Sequence, residues 1–112
     1  MSALDSAVAE LLKDPKALIP AIVQDATSHE VLMLAYMNTE SLQLTLQSGK
    51  ATFFSRSRNE IWVKGATSGH YQEVVSVALD CDGDALLIVV NQSGVACHTG
   101  QKSCFHQPLA LG

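Results

Sequence analysis

Apolar and polar positions along the chain recur with two different periods, and the changes of period mark its elements. Leu4, Val8, Leu11 and Leu12 fall at helical spacing, which predicts a short amphipathic helix over residues 5 to 13, ending before Pro15. "LIPAIVQDA" and "VLMLAYM" are apolar runs of strand length on either side of the polar turn "TSHE", and they read as a hairpin. By propensity alone "VLMLAYMN" also suits a helix. Asn38 is a good N-cap for "TESLQLTLQ", and Gly49 is a natural stop. "ATFFSRS" and "EIWVK" predict a second hairpin across "RN", followed by the polar loop "GATSGH". "YQEVVSVAL" and "ALLIVVNQ" carry the strongest strand pattern, with "CDGD" between them. Asp82-Gly83 is the expected tip of that hairpin, a turn in which both residues take positive φ. The fold class that follows is α+β: antiparallel β-hairpins carrying one or two short helices, in a single domain over residues 1–112.

Composition changes this picture in one respect. Hydrophobic residues make up 47% of the 112 residues and charged residues only 16%. That excess suits a chain that hides apolar surface against another subunit. A formal net charge of −4 argues against a nucleic-acid surface, which needs a basic stripe, but leaves room for a local basic pocket. No apolar run approaches the roughly 20 residues of a membrane span. The opening residues lack a basic region followed by an apolar run, so no secretory leader is expected and the cytoplasm is the expected compartment.

The chemistry concentrates in residues 79 to 105, "LDCDGDALLIVVNQSGVACHTGQKSCF", which hold all three cysteines. Clustered thiols in a reducing compartment read first as metal ligands or catalytic groups. Cys81, Cys97 and Cys104 as three thiolates beside one open position would suit a catalytic zinc, since structural zinc closes with four protein ligands. Three inert core thiols are the competing reading. Asp80, Asp82 and Asp84 alternate along the same stretch, and three such charges repel unless a cation sits among them. Mg²⁺ fits that need; a solvated acidic hairpin tip is the plainer alternative. An EF-hand is excluded, because the loop would need Gly and Glu where Ala85 and Asn91 stand. His98, directly after Cys97, could serve as a fourth ligand, as a general base or as neither; His70 in "TSGH" is a second candidate for proton transfer, whereas His29 and His106 read as surface residues. Arg56 and Arg58 in "SRSR", with Lys64, Thr67 and Ser68 in "WVKGATSGH", suit phosphate or ribose contacts.

Taken together, "LAYMN", "FFSRSR", "WVKGATSGH", "LDCDGDALL" and "ACHTGQKSCF" resemble the phosphoribosyl-AMP cyclohydrolase family of histidine biosynthesis, over about residues 17 to 106. The resemblance implies an intertwined homodimer with active sites at the interface. Cys81 would come from one subunit and Cys97 and Cys104 from the other, around one zinc, with Asp80, Asp82 and Asp84 as Mg²⁺ ligands. It implies hydrolytic opening of the adenine ring of 1-(5-phosphoribosyl)-AMP at the C6–N1 bond, the third step of the pathway. His98 would take or relay a proton, and His70 ranks second. The chain departs from the family's pattern at Gln101 and Lys102, where Arg is common, at Phe54 for a frequent Trp, and at His106 for a frequent aromatic. A turn glycine near "TSHE" is missing. The pyrophosphohydrolase domain fused to some members is expected to lie elsewhere. Two other classes compete: a zinc nucleobase deaminase, whose His-x-Glu and Pro-Cys-x-x-Cys signature is not found, and a non-catalytic zinc-stabilised dimerisation module.

Overall fold

A computed structural model describes residues 5–66, 68–97 and 99–112. Its elements run α1 (Ser6–Ala9), β1 (Ile19–Asp25), β2 (Val31–Met37), α2 (Thr39–Ser48), β3 (Thr52–Ser55), β4 (Glu60–Val63), β5 (Gln72–Leu79) and β6 (Leu86–Gln92). This is the α+β content expected, with all three hairpins in place and "VLMLAYM" a strand rather than a helix.

The main sheet has the order β2-β1-β6-β5, while β3 and β4 form a separate ribbon. Its central pair is the departure from an all-antiparallel reading: β1 and β6 run parallel, in the register Ala21↔Leu86, Val23↔Ile88 and Asp25↔Val90. Alternate residues of both strands therefore point together into the core, where Ile19, Ala21, Val23, Leu86, Ile88 and Val90 are buried. Leu32, Met33, Met37, Leu42 and Phe53 complete that core. Leu32 and Met33 are neighbours in sequence, yet both are buried. The register slips from Val23↔Met33 to Gln24↔Val31, leaving Leu32 as the extra residue of a bulge. The opposite face of the sheet bears Ile22 beside both Leu34 and Leu87, each more than a third exposed.

Helix α2 begins and ends where its caps dictate. The Asn38 side chain accepts from the Ser41 amide at 2.8 Å, the Ser41 hydroxyl accepts from the Asn38 amide at 2.9 Å, and Gly49 leaves the helix at φ 75°. Helix α1 is shorter than its apolar spacing predicts. After Ala9 the amides of Leu11 and Leu12 bond three residues back, and Lys13 N–H donates to the Gly83 carbonyl, drawing the chain onto the β5–β6 turn. That turn is also not the two-residue tip expected. Asp80 N–H pairs with Ala85 and Gly83 N–H with Asp80, giving a four-residue loop in which Gly83 alone has positive φ. Between β1 and β2 the buried Asp25 carboxylate accepts from the Thr27 and Ser28 amides, and His29 takes φ 63°. That left-handed residue stands where the missing turn glycine would serve.

Candidate active site

The segment after β6 is a closed loop. Cys97 C=O accepts from Gly100 N–H, Cys97 N–H donates to Gln101, and Ala96 N–H donates to Lys102. The returning strand is seated on the β2 bulge. Ser103 Oγ donates to the Val31 carbonyl at 2.7 Å, and Cys104 N–H donates to the Leu32 carbonyl at 2.7 Å. The bulge thus supplies the carbonyls that place Cys104 beside Cys97. From the other side, Lys64 Nζ donates to the Ala96 carbonyl.

These contacts frame a cleft of about 310 Å³ lined by Lys64, Ser68, His70, Val95, Ala96, Cys97 and Gly100. His70 is held by its backbone: its amide donates to Ser68 Oγ, and its carbonyl accepts from Gln92 Nε2, which the buried Gln72 orients. Its ring lies against Gly94, where an added Cβ would sit 2.4 Å from the imidazole.

The thiols carry the electrostatic signature. Cys97 accepts a hydrogen bond from the Thr99 hydroxyl at 3.0 Å. That bond first, then the Thr99 amide and His106, lower its pKa to about 6. Cys104 hydrogen-bonds Cys97, and its own thiol is pushed up, by lost hydration first and then by the neighbouring sulfur. The two shifts run in opposite directions, so of the pair Cys97 is the thiol that ionises first. Such a pair is a donor set for a borderline-soft cation that takes the place of a thiol proton, and the residues fit zinc on that chemistry.

The remaining candidates lie apart. Cys81 is exposed on the β5–β6 turn, while Cys97 follows the opposite end of β6, a seven-residue strand about 20 Å long. Two of the three thiols are exposed and one is buried, which removes the reading of three inert core cysteines. Asp80 Oδ1 accepts from the Asp84 and Ala85 amides, which holds its carboxyl below the usual carboxylate range. Asp84 is raised by its hydrogen bond with Asp80, and it also faces Lys13 at 3.8 Å. Asp82 is exposed beside them. Among the described residues of one chain, no three His, Cys, Asp or Glu side chains converge on a common metal position. Arg56 stacks over the Tyr36 ring at 4.0 Å in a second cleft of about 500 Å³, with Phe54, Ser55, Ser57 and Trp62, and Arg58 faces Glu60 at 3.4 Å. Thr67 and His98 lie outside the described residues. His106 is exposed, as its sequence reading expects, but sequence reasoning missed its contact, and that of Thr99, with the thiol: His106 Nε2 stands 3.8 Å from Cys97 Sγ. Its only sequence signal was its place two residues after Cys104.

The loop after β6 brings Cys97, and the β4–β5 connection brings Lys64 and His70, to one cleft of a small α+β fold. Among the described residues no helix is long and apolar enough to cross a membrane. A family profile described as Phosphoribosyl-AMP cyclohydrolase matches residues 33–106. The chain is 63% identical over 92 residues to a phosphoribosyl-AMP cyclohydrolase of Clostridium botulinum (strain Kyoto / Type A2), covering 82% of this chain and 84% of that protein. It is 61% identical over 103 residues to the same-named protein of Renibacterium salmoninarum, covering 91% of this chain and 78% of the relative. It is also 57% identical to the histidine biosynthesis bifunctional protein HisIE of Halalkalibacterium halodurans; that match covers 91% of this chain and 48% of the relative. The chain belongs to the phosphoribosyl-AMP cyclohydrolase family, and it is an enzyme.

Proposed function

We propose that the chain is a phosphoribosyl-AMP cyclohydrolase of histidine biosynthesis, opening the adenine ring of 1-(5-phosphoribosyl)-AMP at the C6–N1 bond. The observation that carries this reading is the cleft in which Cys97, whose thiol is lowered to about 6 and which hydrogen-bonds Cys104, shares walls with His70 and Lys64. Cys97 and Cys104 of one protomer and Cys81 of a second would hold one zinc. When bound, that ion supplies a Lewis acid that activates water near pH 7. The distance from Cys81 to Cys97 along β6 favours donation from two copies over one, and the exposed Ile22, Leu34 and Leu87 offer a face for the second copy. Asp80, Asp82 and Asp84 would hold Mg²⁺, whose charge would favour the ionised form of Asp84, which its hydrogen bond with Asp80 now opposes.

Water adds to C6 and the C6–N1 bond breaks; one water proton ends on N1 and the other on the exocyclic nitrogen, which stays as a carboxamide. N1 already carries a phosphoribosyl group, which makes C6 electrophilic. His70, fixed at the cleft wall, and His98 would move the proton. Lys64 and Ser68 face the same cleft and, with Thr67, would contact phosphate or ribose. Arg56 and Arg58, away from the thiols, would take a more distant phosphate. At about 310 Å³ the cleft is at the small end of ligand sites, which run about 300–1,000 Å³, so a substrate with two phosphoribosyl arms reaches beyond it.

The test is an absorbance assay of purine ring opening on the purified chain, with and without a zinc chelator. Turnover that the chelator abolishes and added zinc restores, without ammonia release, is expected. Chelator-resistant turnover would refute the metal assignment, and ammonia release would replace ring opening with deamination.

A further inference from the structure

The family reading leaves His106 without a role, and in the folded chain it is not a bystander. Ser103 Oγ, donating to the Val31 carbonyl, accepts the Phe105 amide at 3.0 Å, and this turn sends the chain back over the cysteine loop. The returning His106 ring places Nε2 3.4 Å from Thr99 Oγ1 and 3.8 Å from Cys97 Sγ. Thr99 donates its one hydroxyl proton to the sulfur, so its oxygen is left to accept, and the tautomer that suits it carries a proton on Nε2. That one ring proton lies between the Thr99 oxygen and the sulfur, so the ring and the hydroxyl both donate toward one thiol, which is itself buried.

We propose that His106 is a positioning residue for the Cys97 sulfur. With Thr99 it forms a two-donor clamp that holds the sulfur's charge and direction from outside the ligand set. This inference rests on the reading of Cys97 as a metal donor. Hydrogen bonds from outside the ligand shell typically govern metal affinity by about 10–100-fold. The assignment to hydrogen bonding rather than ligation follows the contacts, in which the ring meets both the Thr99 hydroxyl and the Cys97 sulfur.

The test uses cobalt(II) titrated into the metal-stripped full chain, read by the thiolate-to-cobalt charge-transfer band and the weaker d–d bands. His106→Phe keeps a planar ring without a donor; it should bind cobalt about 10-fold or more weakly, with the d–d envelope unchanged. His106→Gln, whose amide can donate from nearly the same place, should recover most of the loss. Far-UV circular dichroism checks that both variants fold. Equal affinity of His106→Phe and the native chain overturns the clamp. So does failure of a folded His106→Gln to recover affinity, or a changed d–d envelope in His106→Phe, which would make the ring a ligand. If the native chain develops no thiolate charge-transfer band, the metal reading itself falls and the clamp with it.

Discussion

Cys97 is where local chemistry departs furthest from an ordinary side chain. Its thiol is lowered to about 6 by the Thr99 hydroxyl above all. In the metal-free chain with Cys81 replaced by Ser, thiolate absorbance near 240 nm should therefore appear with a midpoint near pH 6, and Thr99→Val should move that midpoint up. A lowered acid stabilises the fold in its charged form. This contribution is complete above the ordinary thiol range, declines as pH falls, and is gone below about pH 6. Metal-free thermal unfolding should follow that direction. Gly94 is the second residue on which the site turns. It combines φ 78° with a Cβ position 2.4 Å from the His70 ring, so Gly94→Ala must displace the imidazole. With His70 in its proposed role, a misplacement of about 1 Å costs on the order of 10²-fold in rate. Steady-state kinetics should show that loss in kcat beyond any change in melting temperature.

Elements built from short-range signals were legible. Asn38 and Gly49 bound α2 as the sequence predicts, and Asn38→Ala should cost about 1 kcal/mol in chemical denaturation, with turnover per folded molecule unchanged. The three hairpins were legible for the same reason, since alternation and turn residues sit within a few positions of each other. What escaped depends on contacts between distant residues. Nothing near Ile19–Asp25 indicates that Leu86–Gln92 will lie parallel beside it. Lys13 captures the Gly83 carbonyl, so the acidic turn follows its packing rather than its dipeptide preference. The bulge at Leu32 is invisible until β1 sets the register, and with it the seat of Cys104. The three cysteines were legible as a cluster in sequence, yet the hairpin carries Cys81 to one end and Cys97 to the other.

At the scale of the whole molecule, that separation makes a prediction about two chains. Cys81→Ser and Cys97→Ser proteins should each be inactive alone. If sites are shared, unfolding them together and refolding the mixture creates hybrids with one intact site, and about a quarter of native activity should return. No recovery, with hybrid dimers shown by mass spectrometry, would place all the donors in one chain. The parallel pairing of β1 with β6 has a further consequence, for the order in which the protein is made. β1 leaves the ribosome early, but the strand that must lie along its free edge comes last. Until then that edge stays open to strands of other nascent chains. Closing so long a loop late should make refolding slow and sensitive to concentration.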